Sequence, residues 1–306
     1  MESTTKGGNQ ITTEPLVSII VITYNSSKYV LETLESAKEQ TYRNIELIVT
    51  DDCSTDNTVE LCRNWIEENK SRFVNTELVT VEKNTGIPAN YNRGLKASKG
   101  EWIKGIAGDD MFLPDCVADF IQFASNNLDS KLFISRMLTL QNGIITKTQM
   151  TSCLKKISET NDPKEQYKAI LISYFGNSPS LFVSREIYNT VKFDEKFRFL
   201  EDYPFALNAT KSGFSFVFFD KETVIYRKHE SSVFASIEKD KLFNKFYINR
   251  LEFDKTYRYP YLPKKQRKKE QFEYNRLKLI DALNLNHRNI FCRIINRITK
   301  KLNPYT

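Results

Sequence analysis

Apolar and polar positions alternate between two periods over the first third of the chain. Leu16-Val-Ser-Ile-Ile-Val-Ile22, bounded by Pro15 and by Thr23-Tyr24-Asn25, is the continuous β-branched run expected of a parallel strand buried on both faces. Ser26 can cap a following helix in which Tyr29, Val30, Leu34 and Ala37 fall at helical spacing. The alternation then repeats. Ile45 to Val49 reads as a second strand ending in Asp51-Asp52, and Val59, Leu61, Cys62, Trp65 and Ile66 give the apolar face of a helix from about Asn57. Glu77 to Val81 is a third strand, Ala89 to Ala97 a third helix, and Trp102 to Ile106 a fourth strand that runs into Ala107-Gly-Asp-Asp110. Strands alternating with helices predict parallel βαβ units: an α/β, mainly parallel sheet flanked by helices, which binds ligands at its carboxyl edge.

After Pro114 the pattern predicts a helix (Val117 to Phe123), a strand (Lys131 to Leu140) and a polar loop or hairpin over 141–162. A helix near Glu165 to Tyr174 follows, then a helix opening at Leu200-Glu-Asp-Tyr-Pro204 and two short strands, Phe214 to Phe219 and Thr223 to Arg227. From Lys239 onward the chain reads as helical, aromatic-rich and basic. The expected organisation is a leader without fixed structure (1–14), one α/β domain (15–235, divisible into 15–114 and 115–235) and a helical basic C-terminal extension (236–306).

Charge sharpens that last boundary. Residues 241–306 hold 17 Lys/Arg against 5 Asp/Glu, a balance of +12, so the preceding 240 residues carry −5 of the total of +7. The extension therefore suits an anionic partner. Between Arg288 and Leu302, Ile290, Phe291, Ile294, Ile295, Ile298 and Leu302 share one helical face, with Arg293, Arg297, Lys300 and Lys301 largely elsewhere. Two readings are open: a basic amphipathic helix on an anionic membrane surface, or a helix packed on the domain with its basic side in water. No apolar run approaches the ~20 residues of a membrane span, and Met1 to Glu14 lacks the basic-then-apolar order of a secretory signal. Five scattered cysteines with no Cys-x-x-Cys pair argue for reduced thiols in the cytoplasm, against a disulfide framework or a zinc site.

Two acidic pairs carry candidate chemistry. In Asp109-Asp110, neighbouring like charges gain nothing from each other unless a cation or a donor-rich ligand lies between them; a solvated turn is the alternative. Glu201-Asp202 opens a helix, where acidic residues also serve simply as caps.

Val17-Ser-Ile-Ile-Val-Ile-Thr-Tyr-Asn25, Gln40-Thr-Tyr-Arg-Asn-Ile-Glu-Leu-Ile-Val-Thr-Asp-Asp-Cys-Ser-Thr-Asp56, Asn84-Thr-Gly-Ile-Pro-Ala-Asn-Tyr-Asn-Arg-Gly94 and Ala97-Ser-Lys-Gly-Glu-Trp-Ile103 stand in one order over Pro15 to Pro114. In that order and spacing they resemble the start of an inverting family 2 glycosyltransferase. The resemblance implies the GT-A fold, with a nucleotide-binding half (15–114) and an acceptor half (115–235). It also implies transfer of a sugar from a nucleotide-sugar, UDP-linked, to a saccharide or lipid-linked saccharide. The setting expected is bacterial surface-polysaccharide synthesis, cytoplasmic or peripheral on the inner face of the membrane, without nucleic acid. By the same resemblance, Tyr24 packs on the nucleobase, Asp52 accepts from its edge, and Thr23, Asn25, Gly86 and Asn92 shape the pocket.

The family's metal motif is commonly Asp-x-Asp. Here its first position is Ala107, so Asp109 is the expected ligand of Mn²⁺ or Mg²⁺ and of the donor's diphosphate, with Asp110 in support and His229 completing the site. Asp202 is the expected catalytic base, with Glu201 as its alternative. Tyr91 stands where many relatives carry an arginine, which puts a phosphate or base contact in doubt unless Arg93 or Lys83 supplies it. A sugar nucleotidyltransferase would need a Gly-rich basic loop after the first strand, which Thr23-Tyr24-Asn25 is not. A non-catalytic nucleotide-binding scaffold would have no use for intact Asp109, Asp110 and Asp202.

Overall fold

A computed structural model describes residues 14–173, 176, 178–229 and 241–304. The expected leader, residues Tyr174, Phe175 and Asn177, and the boundary expected at 235/236 lie outside them, apart from Glu14. The first half runs β1 (Val17–Thr23), α1 (Val30–Lys38), β2 (Ile45–Asp51), α2 (Thr58–Asn69), β3 (Asn75–Thr80), α3 (Ile87–Ala97) and β4 (Trp102–Ala107). The second runs β5 (Met111–Phe112), α4 (Cys116–Ser125), β6 (Leu132–Gln141), β7 (Ile144–Lys147), α5 (Ser152–Glu159), α6 (Pro163–Ile172), β8 (Leu181–Ser184), α7 (Arg185–Thr190), α8 (Asp202–Lys211) and β9 (Val217–Lys228). Helices α9 (Lys245–Tyr257), α10 (Lys264–Ala282) and α11 (Ile290–Lys301) follow.

All described strands belong to one sheet of order β3-β2-β1-β4-β8-β6-β9-β5, with β7 paired to β6. Strands β3-β2-β1-β4 are parallel, as are β6 and β9; β8 runs against both β4 and β6, and β5 against β9. The apolar runs are continuous because both faces are covered. Val17, Ile19 and Val21 of β1 pack with Val30 and Leu34 of α1, Trp65 of α2 and Phe120 of α4 on one face. Ile20 points the other way, toward Tyr91, Leu154, Ile170 and Phe205. The first helix of the extension joins that second core: Phe253 of α9 is buried, its ring 4.3 Å from that of Tyr203.

Three elements differ from the sequence reading. Ser26 does not cap α1 with its side chain; its carbonyl instead accepts from the N–H groups of Tyr29 and Val30. The segment expected to be loop or hairpin supplies both the β6–β7 hairpin and helix α5. The hairpin turns at Asn142-Gly143, both at positive φ, the turn chemistry that suits strand twist. Helix α5 is capped by Thr151, whose hydroxyl accepts from Leu154 N–H at 3.1 Å, and buries Leu154 and Ile157. The two short strands expected at 214–219 and 223–227 are one strand, β9, whose polar interruption is absorbed by a register shift opposite Ser135 and Arg136.

Register places the chemistry. Thr23 pairs with Asp51 and Ile22 with Ala107, so β1, β2 and β4 end together. Met111 pairs with Ile225 and Phe112 with Val224, which brings the end of β9 alongside the Asp109-Asp110 turn.

Candidate active site

The loops after β1 and β2 are latched together. Asp51 accepts from Thr23 Oγ1 at 2.8 Å and from the N–H and hydroxyl of Ser54 at 2.8 and 2.5 Å, so its role is structural. Asn25, held at φ 50°, donates its N–H to Ser54 Oγ at 2.7 Å and accepts from Thr55 N–H at 2.8 Å. These bonds leave Tyr24 half exposed on the wall of a cavity of about 730 Å³, which Thr23, Asn25, Asp52, Gly86 and Asp109 also line.

Asp52 is buried in that wall. It accepts from the N–H and hydroxyl of Thr85, from Gly86 N–H at 2.7 Å and from Arg93 at 2.6 Å. Burial opposes its charge, but these donors outweigh burial and hold its carboxyl below the usual range. Its oxygens are thus already engaged, holding the loop before α3, and a nucleobase N–H would have to share them. Gly86 is required there: φ is 103°, and a Cβ would lie 2.4 Å from Arg198 Cγ and 2.7 Å from Arg198 O.

Asn92 is not brought to the cavity. Its amide donates to Phe193 O at 2.9 Å and Glu195 Oε1 at 2.8 Å, stapling α3 to the segment before α8. Asn90 takes the inward position, donating to Thr23 O at 3.1 Å and accepting from Thr50 Oγ1 at 2.7 Å. Two residues along a helix are about 200° apart, so the two asparagines cannot both face the sheet edge. Tyr91 is buried over β4; a Cβ on Gly105 would fall 1.0 Å from its hydroxyl oxygen. Arg93 is spent on Asp52 and Thr85. Lys28 and Arg198 both line the cavity, and Arg198 donates to Asn84 O at 2.8 Å; nothing in the sequence pattern had singled out either.

Asp109 Oδ2 lies 3.0 Å from His229 Nε2. Arg227, also missed by the sequence reading, organises this corner. Its Nε donates to Asp109 O at 2.9 Å, its backbone N–H to Asp110 Oδ1 at 2.8 Å, and its guanidinium pairs with Glu32 at 2.5 Å over the Tyr29 ring. Asp110 is buried; burial and the charge of Asp109 push its carboxyl well above the ordinary range, against the pull of Arg227.

The second acidic pair faces another cavity, of about 400 Å³, lined by Asp110, Tyr91, Glu201, Asp202 and Tyr226. Asp202 is buried in the first turn of α8. Burial, then the charge of Asp202, raises Glu201 to about 8, although the Ser178 side chain bonds to its charged form. Ile22, Ile87, Ala107, Asp109 and Phe199 line both cavities, so the two are halves of one cleft with Asp109 on the shared wall.

Among the described residues no three metal-ligating side chains converge. One carboxylate and one imidazole facing each other in a cleft nevertheless suit a hard divalent cation that takes its remaining oxygens from a substrate diphosphate and water.

On the parallel half of a mixed sheet, an aromatic, an engaged carboxylate and an acidic turn share the carboxyl edge, with a second acidic pair across one cleft, as expected of a glycosyltransferase of GT-A type. Chains similar to this one agree. It is 26% identical over 239 residues to an uncharacterized glycosyltransferase of Methanocaldococcus jannaschii, covering 76% of this chain and 77% of the relative. Its fold matches Staphylococcus aureus TarS 1-349 in complex with UDP-GlcNAc (TM-score 0.58, 22% identity, 85% of this chain and 72% of that one). It also matches the mannosyltransferase PcManGT of Pyrobaculum calidifontis in complex with GDP-Man and Mn²⁺ (TM-score 0.51, 19% identity, 79% and 62%). The family description Glycosyl transferase family 2 matches residues 18–188, and the chain belongs to that family.

Proposed function

We propose that the chain is a metal-dependent, inverting glycosyltransferase that moves a sugar from a UDP-linked donor to a saccharide or lipid-linked saccharide. The setting proposed is surface-polysaccharide assembly on the cytoplasmic side of a bacterial membrane. The observation that carries this reading is the divided cleft: Asp109 stands on the wall common to a cavity walled by Tyr24 and Asp52 and a cavity walled by Glu201 and Asp202. The nucleoside would lie against Tyr24, with Arg198 at the first cavity's edge to meet its phosphates. Mn²⁺ or Mg²⁺ held by Asp109 and His229 would neutralise the departing diphosphate. Asp202 takes the proton of the acceptor hydroxyl, whose oxygen bonds to the anomeric carbon as that carbon's bond to the diphosphate oxygen breaks. A single displacement inverts the centre. Glu201, its pKa raised to about 8, keeps its proton at neutral pH, so Asp202 is the member of the pair assigned the base.

The test is a thermal-shift series with UDP and GDP, with and without Mn²⁺. UDP with Mn²⁺ should raise Tm by several degrees, and Asp109→Asn should abolish the Mn²⁺-dependent part. If no nucleoside diphosphate stabilises the protein with Mn²⁺, the reading fails.

A further inference from the structure

Helix α11 is amphipathic and mounted the unusual way round. Its polar side faces the protein. Arg276 of α10, itself buried, donates to Asn296 Oδ1 at 2.5 Å and to Thr299 Oγ1 at 3.2 Å, while Glu273 pairs with the rest of its guanidinium. Cys292 is buried on the same side, and Asn303, just beyond the helix, donates to Lys269 O at 3.3 Å. Asn289 caps the N-terminus by accepting from Cys292 N–H at 2.8 Å. The apolar side faces outward: Ile290, Phe291, Ile294, Ile298 and Leu302 are 51–79% exposed. A helix belonging only to the globular core turns its apolar stripe inward; this one does the reverse.

The charge around the stripe says what covers it. At 100° per residue, Arg293, Arg297 and Lys300 form one flank between the exposed apolar face and the packed face, while Lys301, in the last turn, falls between Ile290 and Ile294 on the apolar side itself. From Ala282 to Thr306 there are five Lys/Arg and no Asp or Glu. A second copy docking antiparallel, face to face, would set these cationic flanks against each other, and in either direction Lys301 would enter the seam with no acidic residue of 282–306 to meet it, which disfavours a symmetric dimer. An anionic lipid surface meets both halves of the pattern, taking the apolar residues among its acyl chains and the cations at its headgroups. We infer that α11 is a rigidly mounted docking element for an anionic membrane leaflet. This inference stands apart from the proposed reaction, because its readout is lipid binding.

Co-sedimentation of the full chain with vesicles of phosphatidylcholine alone, or with 30% phosphatidylglycerol, tests it. Binding is expected to the anionic vesicles, and at least tenfold weaker to the neutral ones. Phe291→Ser with Ile298→Ser should lower binding at least tenfold without changing Tm, since both side chains are exposed. Arg293→Gln with Arg297→Gln should weaken it by about fivefold per cation. Failure to bind anionic vesicles overturns the inference, and so does binding that Phe291→Ser with Ile298→Ser leaves unchanged. A concentration-dependent dimer in sedimentation velocity, lost in that same variant and accompanied by no vesicle binding, would assign the face to a second copy instead.

Discussion

Glu201→Gln removes a titrating proton from a half-buried position at nearly constant shape. Burial and the neighbouring Asp202 raise Glu201 from an ordinary 4.5 to about 8. Between those values the unfolded chain has released this proton while the folded chain still holds it. Stability therefore falls as pH rises from about 4.5 to about 8 and levels off above. Carried by Glu201 alone, that span is worth about 5 kcal/mol; with the proton shared with Asp202, about half of it is a fair expectation. Glutamine does not titrate, so the variant should gain on the wild type by this amount across the window, roughly 4–8 °C in Tm for a chain of this size. Melting curves followed by circular dichroism from pH 5 to 9 measure it. A Tm difference that stays constant over that range would show that Glu201 is ionised in the folded protein throughout. Turnover of the same variant at pH 7.5 divides the roles: Asp202 as base predicts that transfer persists, whereas abolished transfer would pass the role to Glu201.

Two further substitutions probe the cleft from its other sides. Asp202→Asn should retain nucleotide-induced stabilisation and lose transfer by about 10²–10⁴-fold, the usual worth of a positioned base; unchanged turnover would remove Asp202 from the mechanism. Gly86→Ala forces a Cβ against Arg198 at φ 103° and should cost about 1–3 kcal/mol. Because the same turn donates to Asp52, nucleotide affinity should fall with stability, so calorimetry showing full-strength UDP binding in a destabilised variant would separate the two.

How far the sequence could be read depended on whether a residue's partner was near in sequence or implied by periodicity. β1, α1, β2 and β4 were legible because each carries an apolar pattern at strand or helix spacing, and because parallel register aligns Thr23, Asp51 and Ala107 without further information. Helix α5 was obscured by its shortness, although Thr151 followed by Leu154 and Ile157 was a usable cap-and-spacing signal. Asn92 illustrates a finer limit. Both asparagines of Asn90-Tyr-Asn92 sit in the helix, and only the rotation of α3 decides which faces β1. Arg227 and Arg198 could not have been singled out at all. Their importance comes from the antiparallel pairing of β5 with β9 and from the approach of the pre-α8 segment to Gly86, contacts separated by more than a hundred residues.

The wall that Asp109 shares between the two cavities has a kinetic consequence on the proposed reading. A diphosphate anchored there would become part of the lining that the acceptor meets, so the acceptor's full binding surface would exist only after the donor has entered. Encounter would then follow a compulsory order, with the nucleotide first on and, as spent diphosphate, last off. Free nucleoside diphosphate would compete with the donor and be noncompetitive toward the acceptor. The enzyme's pace would accordingly answer to the local ratio of charged to spent nucleotide.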